Sequence, residues 1–152
     1  MIIIQCAVIQ GLGMGCLRPV EQGIIGSGAF AGNTSLRSVS LPSSVTQIGQ
    51  EAFADCTSLT SVSLPSLLKA IGIGAFYGCS SLTSVNVPSG TTSIGDEAFA
   101  DCSSLTSITI PSSVTSIASD AFSGCDSLTI RCSEGSAAHN YAVENGINFT
   151  LT

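Results

Sequence analysis

The chain has 152 residues, enough for one domain of ordinary size, and 44% of them are apolar against 9% charged. Its net charge of −6 repels phosphate backbones and anionic lipid surfaces, so no nucleic-acid partner is expected. With so few charges, solubility falls to Ser, Thr, Asn and Gly, while the apolar fraction suffices to fill a long, thin core.

Residues 1–17 carry no charged side chain, and Ile2, Ile3, Ile4, Ala7, Val8 and Ile9 make the start strongly apolar. Pro19 is as far from Pro42 as Phe30 is from Phe53, in phase with the repeat that begins at Ile25. Residues 1–24 therefore read as a degenerate N-terminal cap or repeat remnant, the atypical end unit that a stacked-repeat protein needs. Two other readings stay open, a damaged secretion signal and a chain shortened upstream. A secretion signal has a basic n-region, which is lacking, and a spanning helix needs about 20 mostly apolar residues without this density of glycine. No membrane span is expected. Gly15-Cys16 loosely matches a lipidation site, but Gly13 stands where a larger aliphatic residue belongs.

From Ile25 onward the chain repeats with a period of 23: Phe30, Phe53, Phe76, Phe99 and Phe122 are evenly spaced, and Ile25, Ile48, Ile71, Ile94 and Ile117 keep step. The frame is I-G-x-x-A-F-x-x-C-x-S-L-T-S-V-x-L-P-S-x-V-T-x, in five copies over residues 25–132. The last copy is shortened by one position where Leu128-Thr129-Ile130 replaces L-T-S-V. A unit this short cannot bury its own apolar side, so each copy must stack on its neighbours and enclose a continuous core. Function then lies on a surface and not in a pocket.

Within a copy, Leu59, Val62 and Leu64 end in alternation, which predicts a short half-buried strand that Pro65 stops. Stacked, such strands form a parallel sheet with neighbours about 4.8 Å apart, so five copies span about 20–25 Å. Ile48, Ala52, Phe53 and Cys56 are expected to line the opposite wall, and Gly49 to supply a turn that a side chain would hinder. In residues 133–152, Ser136 is a helix N-cap, a helix is predicted around Ala137 to Glu144, and Asn145-Gly146 stops it. Ile147, Phe149 and Leu151 then alternate like a closing strand, so this segment caps the last coil.

The pattern resembles the BspA-like leucine-rich repeats of bacterial and protist surface proteins. The match is carried by Ile94-Gly95-Asp96-Glu97-Ala98-Phe99, then Cys102, Ser104-Leu105-Thr106-Ser107-Ile108 and Pro111-Ser112-Ser113-Val114. The resemblance implies an α/β-type repeat solenoid, a right-handed coil with a short parallel sheet, few helices, and a C-terminal cap of helix plus strand. It also implies a surface or secreted location and an adhesin-like role.

Four of the seven cysteines, Cys56, Cys79, Cys102 and Cys125, hold one position of the repeat, which Asn33 takes in the first copy. As small hydrophobes they read as a buried ladder of thiols. Zinc is disfavoured because no Cys-x-x-Cys occurs and His139 is the single histidine. No metal or cofactor is expected. Cys132 would need a positioned base to act as a nucleophile, and His139 comes without an evident orienting carboxylate, so an enzyme is the least expected class. Asp96, Glu97 and Asp101 are the densest acidic cluster, in outward slots where solvation explains them, with weak calcium binding as the alternative. Of the two glycosylation sequons, Asn33-Thr34-Ser35 is expected to face inward and stay unmodified, and Asn148-Phe149-Thr150 is short enough to arise by chance.

The regular surface is the outward side of the strands: Ser38 and Ser40, Ser61 and Ser63, Ser84 and Asn86, then Ser107 and Thr109. They form two polar columns, a flat lattice of groups that both donate and accept hydrogen bonds. The expected function is a non-catalytic interaction module binding an extracellular protein or glycan there, with modest affinity because aromatic and Arg anchors are missing. The alternative is a structural spacer with no ligand of its own. Ordering of water by Ser and Thr ladders, as in ice binding, is a remote third class that the mixed columns and narrow sheet oppose.

Overall fold

The computed structural model describes residues 8–10 and 23–152. In chain order the elements are β1 (Val8–Gln10), β2 (Ile24–Ile25), β3 (Ser38–Ser40), β4 (Gln47–Ile48), β5 (Ser61–Ser63), β6 (Ala70–Ile71), β7 (Ser84–Asn86), β8 (Ser93–Ile94), β9 (Ser107–Thr109), β10 (Ser116–Ile117), β11 (Thr129–Cys132), α1 (Ala137–Asn145) and β12 (Asn148–Leu151). Each coil contributes two strands, a longer one ending before the Pro and a shorter one ending at the repeat's Ile. Successive coils pair in parallel and in register at the repeat spacing, as in Val39 with Val62 and Ile48 with Ile71.

The expected strand at Val62 is present as β5, and it stops before Pro65. Two features differ from a single continuous sheet. The Ile positions form a second five-stranded ladder, β2-β4-β6-β8-β10, whose strands are too short to announce themselves by alternation. The first ladder is interrupted between β5 and β7, leaving β1-β3-β5 and β7-β9-β11-β12. At that step Val62 and Leu64 are only partly buried, while Val39, Leu41, Val85 and Val87 are buried, so the apolar side chains of the second coil seat less deeply. On the N-terminal edge β1 runs antiparallel to β3, opposite in sense to every strand of the coils. The phase of Pro19 and the Gly15-Cys16 pair lie outside the described residues, as does most of the segment read as an N-terminal cap.

The core is a set of straight columns. Phe30, Phe53, Phe76, Phe99 and Phe122 stack with ring centroids 5.0–5.4 Å apart and planes within 6° of parallel. Ile48, Ala52, Phe53 and Cys56 are all buried, as the repeat predicts. Backbone bonds lock the column, since Phe53 N–H donates to Ala75 O and Phe76 N–H to Ala98 O, both at 2.8 Å. Thr91 takes the place of Val45, Leu68 and Val114, fully buried, and satisfies its hydroxyl by donating to Leu68 O at 2.9 Å.

Gly49 opens the turn expected of it, its carbonyl accepting from Ala52 N–H at 3.3 Å, and the hindrance to a side chain comes from the neighbouring coil. A Cβ there would lie 2.6 Å from Ile25 O of the preceding coil, and at Gly72 the equivalent approach to Ile48 O is 2.5 Å. The glycine lets two backbones come within strand distance. Ala118 stands at this position in the last coil; its N–H reaches Ile94 O at 3.1 Å, against 2.8–2.9 Å for Gly49, Gly72 and Gly95, and the neighbouring Ile117 is only partly buried.

Left-handed backbone recurs at two turn positions, filled alternately by glycine and a carboxylate: Gly28, Glu51, Gly74, Glu97, and Gly32, Asp55, Gly78, Asp101, Gly124. The alternation has a steric cause. The Asp55 carboxylate fills the space a Cβ on Gly78 would need, and Asp101 does the same over Gly124.

The last coil is closed by the tail. Ser136 caps α1 by accepting from His139 N–H, and Gly146 ends it with φ 65°. Tyr141 packs edge-on against Phe122, centroids 5.8 Å apart, and its hydroxyl donates to Ser119 O at 3.0 Å. β12 then adds to β11 in parallel.

Replacing Gly72 by Ala should lower stability by about 1–3 kcal/mol, read as a fall in urea midpoint. Gly78→Ala should also destabilise, and Asp55→Gly should recover only the part of that loss that comes from the clash, because the left-handed backbone at residue 78 strains an alanine whatever its neighbour.

Candidate functional site

The columns predicted from the sequence are brought together as one face. Ser38, Ser61 and, farther along, Ser84 and Ser107 align in register, and beside them Ser40, Ser63, Asn86 and Thr109. The intervening Val39, Val85 and Ile108 are buried, so alternation along each strand turns the polar pair outward. Ser40, Ser61, Ser63, Ser84 and Asn86 are exposed, and Ser38, Ser107 and Thr109 are partly exposed.

Hydroxyls next to the face are already committed. Thr60 Oγ1 donates to Arg37 O at 3.1 Å, and Thr106 Oγ1 to Thr83 O at 3.3 Å, each tying one coil to the one before. These threonines hold the stack together. The face serines make no such coil-to-coil bond among the described residues, which leaves their hydroxyls to solvent or a ligand.

The face is longer than the repeats alone indicate. The shortened last copy places Thr129 beside Ser107 and Arg131 beside Thr109, and β12 adds Asn148 and Thr150 in the same register. Arg131 is exposed between the buried Ile130 and Cys132. The outward side of the strands therefore carries one exposed Arg, where the repeat pattern indicates none. The signal is present in the sequence: with the last copy one position short, Arg131 and not Cys132 falls in phase with Thr109.

Charge is divided between the two sides of the coil. The seven carboxylates of residues 25–132 (Glu51, Asp55, Asp96, Glu97, Asp101, Asp120, Asp126) all fall in the turn segments that follow the Ile strand. Of the three cations, Arg131 lies in β11 and Arg37 precedes β3, whereas Lys69 precedes β6 of the Ile ladder; all are exposed. Within the turns, Asp101 accepts from the Tyr77 hydroxyl and pushes that phenol up from its usual range. Among the described residues no three His, Cys, Asp or Glu side chains are grouped so as to hold a metal ion.

The cysteine column is buried and bonded. Cys56, Cys79, Cys102 and Cys125 donate from Sγ to the carbonyls of Phe30, Phe53, Phe76 and Phe99, at 3.0–3.2 Å. All four are free thiols. Asn33, in the same slot of the first coil, is partly buried and donates Nδ2 to Phe30 O at 2.8 Å, while Asn148 is exposed on β12. Burial pushes the Cys56 thiol up to about 11 and Cys79 up to about 12. Cys132 is also raised by burial, and His139 Nδ1 accepts from Gly135 N–H at 3.0 Å while its ring packs on Phe149. The histidine thus works within the cap.

This geometry defines a leucine-rich-repeat solenoid. The chain belongs to the BspA-type leucine-rich-repeat family, whose model matches six copies over residues 21–145. It is similar to the crystal structure of a leucine-rich-repeat protein from T. pallidum, with 42% identity, TM-score 0.70, and coverage of 71% of this chain and 51% of that one. A leucine-rich cell surface protein from Faecalibacterium prausnitzii is 40% identical with TM-score 0.74, covering 78% of this chain and 32% of that one. A leucine-rich-repeat protein from Bacteroides ovatus is 40% identical with TM-score 0.67, covering 70% of this chain and 28% of that one. The chain thus spans about half or less of the length of these three relatives. No curated protein matches it in sequence. Among the described residues no helix is long and apolar enough to cross a membrane.

The raised thiols set a pH dependence. Their protonated forms are held in the fold, so the stability they contribute is complete below the ordinary value of 9.0 and is lost as pH rises toward 11–12. The urea midpoint should fall across that window, and the fall should be shallower in Cys56→Ala/Cys79→Ala. At pH 8, peptide mapping after iodoacetamide should find Cys56 and Cys79 unmodified in the folded chain and alkylated in urea.

Proposed function

We propose that this chain is a non-catalytic interaction module, exported to the cell surface or secreted, that docks an extracellular protein or glycan on the hydroxyl face. The carrying observation is the run of outward Ser, Asn and Thr side chains at the repeat spacing on both segments of the ladder, available to a ligand while the neighbouring threonines are spent on the stack. A rigid array of donors and acceptors loses little freedom when a ligand binds. Leucine-rich-repeat proteins commonly mediate protein interactions and are typically non-catalytic, and one similar structure is that of a cell surface protein. The buried thiols and the cap-bound His139 leave no assembled nucleophile and base among the described residues.

The test is a panel of immobilised matrix proteins and glycans probed with the full chain and with Ser61→Gln/Ser84→Gln. The longer neutral side chains lift a ligand off the lattice without adding charge. Saturable capture by the wild type, weakened at least about tenfold in an equally stable variant, supports docking on the face. Equal capture by both moves the site elsewhere, and capture of nothing favours the spacer.

A further inference from the structure

The division of charge across the coil says what the face would hold. Every carboxylate of residues 25–132 lies in the turn segments, so the strand face carries none of them, while Arg131 stands in the column of Ser40, Ser63, Asn86 and Thr109. Arg37 is exposed one residue before the first strand of the face, on the first coil, in the repeat position of Thr60, Thr83 and Thr106 that borders the two outward columns. With the two guanidinium groups on the first and last coils of the repeat, strand spacing sets them roughly 20 Å apart along the stack. Between them is a polar lattice without an apolar or aromatic anchor.

We propose that this face takes an extended acidic polysaccharide, whose carboxylate or sulfate groups dock at Arg131 and Arg37 while its hydroxyls bond to the serine columns. The inference rests on the hydroxyl face being the docking surface. Guanidinium groups match carboxylate and sulfate in bidentate geometry, and the acidic turns on the far side repel the same ligand, so charge selects which side it meets. A folded protein partner draws its energy from a few large buried anchors, which the outward positions do not offer. A sugar chain brings a hydroxyl to nearly every contact, and each face serine can donate or accept.

The experiment measures binding of the full chain to polygalacturonate, heparin, neutral dextran and poly-glutamate at low and high salt. Expected are retention of an acidic glycan but not of dextran, weakening by salt, and loss of at least about fivefold in affinity for Arg131→Gln, with a larger loss when Arg37→Gln is added. Asp101→Asn, on the opposite edge, should bind as the wild type does. Melting temperatures of the Arg variants should agree with that of the wild type, since the replaced side chains are exposed. Retention of no polyanion, or unchanged affinity in the double Arg variant, overturns the proposal. So does tighter binding of poly-glutamate than of either glycan, which assigns the face to an acidic protein. If Ser61→Gln/Ser84→Gln abolishes capture of another ligand while the Arg variants do not, the docking face stands and its acidic-glycan occupant is wrong.

Discussion

Backbone stacking at strand distance is the constraint from which the rest of this molecule derives. Parallel pairing holds equivalent residues of successive coils within about 5 Å, so every side chain has a copy of itself as neighbour. Few residue types tolerate that. Phenylalanine does, by offset stacking of parallel rings at 5.0–5.4 Å. Threonine does, by returning its hydroxyl to the carbonyl of the coil before it. Cysteine does so as well, since a small thiol fits the column and spends its proton on the Phe carbonyl of the preceding coil. After the Ile strand only glycine passes without strain, because the preceding carbonyl occupies the place of a Cβ.

Where self-neighbouring is unfavourable, the chain avoids it by alternation. Asp55 and Asp101 each project over the glycine of the next coil, so in that column carboxylates recur at every second coil; in the neighbouring column Asp120 directly follows Glu97 and accepts from its N–H at 3.2 Å. An unbroken column would set like charges a strand spacing apart as well as overlapping them sterically. The exchange is asymmetric, because the left-handed backbone suits glycine and strains a residue with a Cβ, Glu more than Asp. The acidic residues thereby keep the turn side soluble in a chain of which 9% is charged. In the column from Gly32 to Gly124 the structural period is two coils, twice the period by which the sequence aligns.

Much of this could be read from the sequence because the repeat samples the same environment several times. Ile48, Ala52, Phe53 and Cys56 are buried as their phase requires, and α1 starts after Ser136 and ends before Gly146 as the capping residues indicate. What escaped depended on contacts between coils. The Ile ladder is built from strands too short to carry an alternation. The role of Gly49 lies in a carbonyl of the preceding coil, invisible in its own turn. The antiparallel sense of β1 has no counterpart in the repeat pattern at all.

Arg131 shows how one missing residue shapes the candidate site. At the full repeat length it would align with Ile108, whose side chain is completely buried, and an unpaired guanidinium in that core would cost several kcal/mol. Shortening the copy by one position exchanges the faces of the strand: Ile130 takes the Ile108 position, Cys132 that of Ile110, and Arg131 turns to solvent beside Thr109. Because side chains alternate with a period of two, no smaller change could do this. The core demand that expels Arg131 also supplies the hydroxyl face with its cation. The last coil thus departs from its predecessors at the point where the face departs from a neutral lattice.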